Sequence, residues 1–231
     1  MLYGLTAVRD NLRNRDGKRV FYLGKGDQLT SEAKDFLNRE RIQVLPAAQA
    51  RPERYRLLSG GFWEQKPEHM THLHGDVLVM KTHPRIRFRG MMDSLEAELL
   101  LCMAEAPTEL RSQLEDVLTF ARDLLRREVL GEPVPETLLC GMDPQQLRER
   151  SHRPQDFYGQ PHFMPDASDG KLILQLNRVR CAARQAELAA VEAFLDRDGN
   201  PTRLDLLQAM NRMSSMLYLL MIQQKAKKPE R

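Results

Sequence analysis

Between Arg178 and Leu188 the chain reads RVRCAARQAEL, which places Arg180, Arg184 and Glu187 at spacings of four and three. On an α-helix these three side chains share one face. Arginine forks match phosphate oxygens, and a neighbouring carboxylate can orient them. Extended in both directions, the same row runs Ile173, Leu176, Arg180, Arg184, Glu187, Val191, Phe194. It is apolar at both ends and charged in the middle. Buried charge is costly unless it is paired or used. The last helical segment repeats the pattern, with Asn211 inside the row Leu207, Asn211, Ser214, Tyr218, Met221. Asp93 starts a third row with Ala97, Leu100 and Ala104. Two explanations fit: a structural polar network that fixes helix register, or an anion pocket set into a bundle. Spacing alone does not choose between them.

A second cluster, His69, His72 and His74, lies in HMTHLHGD. Alternation along an extended segment puts His72 and His74 on one side, as weak metal-ligand candidates. A zinc or iron site needs three or four well-placed ligands. Ordinary loop histidines or substrate contacts are the competing explanation. Trp63 and Tyr158 fit simple packing.

The elements that must position these residues fall into two parts. RVFYLG (19–24) reads as a strand, and LTSEAKDFLNRERIQVL (29–45) as a helix capped by Thr30 or Ser31 followed by a strand, a small β-α-β element. Residues 47–70 read as loop or linker, and 72–90 as extended and irregular. From Met92 the period becomes helical. One helix ends near Pro107, a second is stopped by Gly131, and a short one lies near PQQLRER. An ordered loop spans 152–170, and two long helices follow, 171–197 and 202–228. The expected fold is mainly α: a helical bundle over 71–231 with an N-terminal α/β element and linker over 1–70.

The 231 residues are 42% hydrophobic with a net charge of +3. That near-balance disfavours a nucleic-acid binder. The apolar run MLYLLMI (216–222) is too short to span a bilayer, and the N-terminus is charged too early for a signal peptide. Three cysteines without a CxxC pair point to a reducing, cytosolic compartment.

Three motifs occur in order: VMKTHPRIRFRGMMDSLEAE, RVRCAARQAEL and AMNRMSSMLYLL. They resemble the entry segment, the arginine helix and the NRLSD segment of the propanediol-utilisation-type cobalamin adenosyltransferases. LTSEAKDFL, KPEHMTHLHGDVLVMKTHPRIRFRGMMDSLEA, VLGEPV, LRERSHRP and HFMPDASDG are similar to the ethanolamine-utilisation branch. The resemblance implies transfer of the 5′-deoxyadenosyl group of ATP to reduced cobalamin with release of triphosphate. Mg²⁺ is expected through ATP, and the protein supplies binding, orientation and electrostatics.

Carried over position by position, Arg184 matches the arginine that holds the ATP phosphates, and Glu187 the acid beside it. Asn211 matches the nucleotide-contacting asparagine, and Lys81 a lysine that reaches the nucleotide. Asp93 and Arg180 match a carboxylate–guanidinium pair that shapes the site, across a subunit boundary or within one chain. Phe163 is the candidate for the apolar corrinoid wall, with His162 competing. The branch implies a homo-oligomer, trimer or dimer, with the active site at a subunit interface. It also implies a B12-dependent lyase as client, a flavin reductase as donor, and a cytoplasmic setting in or near a bacterial microcompartment.

The chain departs from the pattern in four ways. There is no Thr/Gly/Asp-rich N-terminal phosphate loop, only the faint echo GKGD at 24–27. Leu188 replaces an arginine of the arginine helix. Ser215 replaces the aspartate of NRLSD. The metal-binding cysteines that some relatives carry before the KP segment are missing. A non-catalytic corrinoid carrier or helical interaction module is the rival.

Overall fold

The computed structural model describes residues 1–50 and 55–227. They form two compact units, Met1–His83 and Pro84–Arg231 by chain position. The boundary expected after residue 70 would cut a strand pair of the first unit.

The first unit begins with β1 (Leu2–Tyr3), α1 (Leu5–Asp10), β2 (Arg13–Arg15), β3 (Lys18–Leu23) and β4 (Gln28–Leu29). It continues with α2 (Ser31–Arg39), β5 (Gln43–Pro46), β6 (Tyr55–Leu57), β7 (Phe62–Trp63), β8 (Met70–His74) and β9 (Val77–Met80). β1 and β4 pair in parallel. The other seven strands form one mixed sheet in the order β5-β3-β2-β7-β6-β9-β8. The expected β-α-β element is present, because β3 and β5 run parallel with α2 between them in sequence. The Thr30 hydroxyl caps α2 by accepting the Ala33 amide at 3.3 Å. Ala33, Phe36 and Leu37 of α2 cluster with Val8, Phe21 and Ile42.

The linker expected over 47–70 is partly structured, and its residues 51–54 lie outside the described residues. β6 and β7 form a hairpin around a turn in which Gly60 and Gly61 have φ of 90° and 84°. A Cβ on Gly61 would come within 2.7 Å of the Leu12 carbonyl oxygen, so only glycine fits there. Two- and three-residue strands carry too little alternation to be read from sequence.

The second unit holds α3 (Pro84–Glu105), α4 (Thr108–Leu130), α5 (Pro144–His152), α6 (Pro154–Tyr158), α7 (Lys171–Phe194) and α8 (Leu204–Ala226). The extended structure expected up to residue 90 is corrected. β8 and β9 end it at Met80, and α3 starts at Pro84, well before Met92. Proline suits a first helical turn, where its missing N–H is no loss. The three arginines at positions 85, 87 and 89 masked the helical period. The loop expected over 152–170 contains α6. Gly131 ends α4 in the left-handed conformation, φ 71°, as its position implies. All three cysteines are free.

α7 packs against both α3 and α8. Its buried face carries Ala183, Ala186, Ala189 and Ala190, flanked by Ile173, Leu176 and Phe194. Small side chains let the neighbouring backbones come close. α8 answers with methionines and leucines from Leu206 to Ile222. No helix among the described residues is long and apolar enough to cross a membrane.

One buried charge ties α3 to α4. Glu128 is fully buried; its carboxylate accepts from Arg85 Nε at 2.5 Å and Arg89 Nε at 2.7 Å. Arg85 also donates to the Glu128 carbonyl at 3.0 Å. Removing one side of such a pair strands charge in the interior. Glu128→Ala is therefore expected to lower the stability of the helical unit by about 3 kcal/mol, read as a fall in the urea midpoint. An unchanged midpoint would mean that the pair contributes nothing net.

Candidate functional site

The charged middle of the α7 row faces neither core nor plain surface. Its two arginines border a cavity of about 320 Å³. α7 supplies Arg180 and Arg184, and α8 supplies Asn211, Ser214, Ser215 and Tyr218. Ser151 and His152 at the end of α5 and His162 of the following loop complete the lining. The apolar ends of the row are buried at Ile173, Leu176 and Phe194, as the spacing requires. The row thus leaves the core, passes a cavity and returns.

Asn211 is held from both sides. Its Nδ2 donates to Glu187 Oε1 at 2.8 Å, and its Oδ1 accepts from the Arg212 guanidinium. These two bonds fix the amide's orientation and leave one N–H and one acceptor lone pair for a ligand. Glu187 does not line the cavity. It stands behind Asn211 and orients it, contacting neither arginine of α7 by any described bond. Ser215 Oγ donates to the Asn211 carbonyl at 3.1 Å, closing over the helix backbone where the family pattern has an acid.

Arg180 is half-buried. Its Nε and a terminal nitrogen donate to Asn177 Oδ1 at 3.3 and 3.1 Å, and its guanidinium lies 5.9 Å from the Tyr218 ring centre. Arg184 is exposed, with no hydrogen bond or ion pair to any described residue. A guanidinium kept without a partner at a cavity rim suits an anionic ligand.

His162 stacks on Tyr218 with ring centres 5.7 Å apart. Its Nε2 lies 3.3 Å from the His152 carbonyl, which can only accept, so Nε2 carries the proton. In the neutral ring, Nδ1 then accepts from the Tyr218 hydroxyl at 2.7 Å. Burial raises the Tyr218 pKa, opposed by the Phe163 amide, which donates to the phenol oxygen, and by Arg180. Tyr218 therefore ties the 159–166 segment to α8 through two adjacent residues.

Several expected residues lie elsewhere. Asp93 is exposed on α3, outside the cavity, and is not brought to Arg180 within this chain. The Phe163 ring packs at the core edge, 5.4 Å from Lys225 Nζ, and does not line the cavity. Lys81 follows β9 in the first unit and is exposed. GKGD closes a tight turn, the Asp27 amide donating to the Gly24 carbonyl at 3.1 Å. His69 meets Trp63 and His72 meets Tyr55 edge-on, and His74 follows a bulge in β8. Among the described residues no three His, Cys, Asp or Glu side chains come together as metal ligands. Ser151 and Arg212 were not singled out by the sequence. Arg212 nevertheless interrupts the row Ala209, Met216, Leu219 by the same spacing rule.

The profile of the cobalamin adenosyltransferase family matches residues 62–224. Curated relatives named corrinoid adenosyltransferase EutT, from Escherichia coli (strain K12) and Salmonella typhimurium (strain LT2), are each 33% identical over 165 residues. The match covers 71% of this chain and 62% of each relative, so the chain spans less than two thirds of their length.

Tyr218→Phe removes the hydroxyl shared by His162 and Phe163. Hydrogen exchange at the Phe163 amide should speed up by about tenfold, the worth of one hydrogen bond. An unchanged rate would show that the segment is held by other contacts.

Proposed function

The chain belongs to the cobalamin adenosyltransferase family, and from that premise we propose that it transfers the 5′-deoxyadenosyl group of ATP to the cobalt of cob(I)alamin. The cobalt lone pair attacks C5′, the C5′–O bond breaks, and triphosphate leaves with the electron pair. The observation that carries this proposal is the cavity lining: two arginines and a pre-oriented asparagine, with no carboxylate among them. Such a lining favours a bound polyphosphate and the charge that develops on it as it leaves.

Arg184 takes the phosphates, Asn211 contacts the nucleotide, and Glu187 positions Asn211. Arg180 adds positive charge beside Tyr218. Lys81 is the further nucleotide contact that the resemblance assigns. His162, exposed at the cavity, meets the corrinoid, and Phe163 supports it from the core side. Mg²⁺ would arrive on the triphosphate, since it binds readily through phosphates with few protein ligands, and it would neutralise part of the phosphate charge.

A homo-oligomer, trimer or dimer, accounts for the exposed Leu100 and Leu101 of α3 and Leu174 and Leu188 of α7, which a second copy would cover. In that assembly Asp93 pairs with Arg180 across the boundary. The product serves a B12-dependent lyase of a pathway such as ethanolamine utilisation. A flavin reductase supplies the electron that takes the corrinoid from Co(II) to Co(I), in the cytoplasm or at a microcompartment.

Anaerobic incubation with MgATP and cob(I)alamin should give the visible spectrum of adenosylcobalamin and an equal amount of triphosphate. A corrinoid shift without turnover would favour a carrier instead, and no shift would overturn the proposal. Arg184→Ala should weaken ATP binding by about 10- to 100-fold, the loss of a charge-assisted contact, with the helical circular dichroism unchanged. Unaltered ATP affinity in a calorimetric titration would remove Arg184 from the phosphate site.

A further inference from the structure

The helical unit holds a second cavity, larger than the one described above. It measures about 800 Å³ and opens beside α8 on the Arg212 side, between α4, the 134–139 segment and the start of α5. That volume is in the range of small-molecule sites. Phe120, Leu139, Leu147 and Ala209 give it an apolar lining. Arg148 of α5 and Arg212 of α8 bring two guanidinium groups to it.

The lining sets three carboxylates, Glu136, Asp143 and Asp205, beside the two guanidinium groups, and two of the three are bonded elsewhere. Asp205 is already held by Arg203 through bonds of 3.0 Å to each carboxylate oxygen, and by the Val134 amide at 2.8 Å. Burial raises its pKa, but those partners outweigh it and hold the carboxyl down to about 2. Asp143 is consumed in capping α5, accepting the Gln146 amide at 2.8 Å. Arg148 has no described side-chain partner, and Arg212 donates only to the Asn211 amide oxygen. Burial and then the charge on Arg148 lower the Arg212 pKa, as expected for two cations facing one space. The Glu187 carboxylate opposes that shift from the α7 side, and of the lining carboxylates the exposed Glu136 has no described partner.

The geometry points to a second phosphate site, in which Arg148 and Arg212 hold the phosphate of a small ligand and the apolar lining receives its organic part. A nucleotide has this chemistry, and a free polyphosphate shares its charged half. The site is linked to the first cavity, because Arg212 also holds the oxygen of Asn211. A phosphate that draws Arg212 away loosens the amide that Glu187 and Arg212 fix together. Occupation of the second site therefore weakens nucleotide binding at the first.

The test is calorimetric titration of the full chain with ATP and, separately, with inorganic tripolyphosphate, without corrinoid. Two ATP sites per chain are expected. Arg148→Ala should weaken one by tenfold or more and leave the Arg184-dependent site in place, while Arg148→Lys should retain most of the affinity. Tenfold tighter binding of ATP than of tripolyphosphate at the Arg148-dependent site identifies an organic phosphate as ligand, and equal affinity identifies a free polyphosphate. A single ATP site, unchanged by Arg148→Ala and by the charge reversal Arg148→Glu, would overturn the inference. Loss of the Arg184-dependent site alone would count against the proposed adenosyl transfer and not against this second site.

Discussion

The close approach of α7 and α8 is the constraint on which the cavity depends. Glu187 reaches Asn211 only if the two backbones lie near each other at that level. α7 buries alanines at 183, 186, 189 and 190, and small side chains let packed helices lie close. The Glu187–Asn211 bond in turn sets register. A shift of α8 by one residue would bring Arg212 or Met210 to the carboxylate and turn the asparagine away. Packing and site are therefore one requirement: the same stretch of α7 must be small on one side and charged on the next.

Below this level the bundle is held by means that do not touch the cavity. Glu128 with Arg85 and Arg89 ties the start of α3 to the end of α4, and Phe88 meets Phe194 edge-on at 5.8 Å near the far end of α7. Buried ion pairs gain little over apolar packing, but they punish wrong pairings strongly. Their place at the end of the bundle fits a device that specifies which helix ends meet. The cavity's own polar groups are then free to be only partly satisfied, as Arg184 is.

Much of this was legible in the sequence, for reasons that can be named. The α7 row announced itself because charge interrupts an apolar period, and the structure shows that interruption opening onto a cavity. Asn211 was visible by the same logic. Arg212 carries the same signal, since it interrupts the row Ala209, Met216, Leu219, but that row faces another cavity and does not hold the family motif's asparagine. The start of α3 was missed because the arginines at 85, 87 and 89 imitate a strand's alternation. Two of them, Arg85 and Arg89, are there for Glu128, about forty residues away in α4, and Arg87 meets Glu192 of α7. Phe163 was chosen for its aromatic ring, but its amide is what joins the site, and a backbone donor leaves no trace in composition. The short strands of the first unit were lost for lack of length.

The two substitutions within the family's own motifs become intelligible together. Relative to the pattern, an arginine is lost at Leu188 and an aspartate at Ser215. Their charges cancel in the chain's net charge, but only Ser215 lines the cavity. Leu188 is 67% exposed, where an apolar side chain gains from being covered by another surface. Ser215 spends its hydroxyl on the Asn211 carbonyl and makes no demand on Arg180 or Arg184. Without that aspartate, neither arginine has a carboxylate partner at the cavity. The two that remain are thereby more available to an anion than they would be in a site where part of the positive charge is already neutralised.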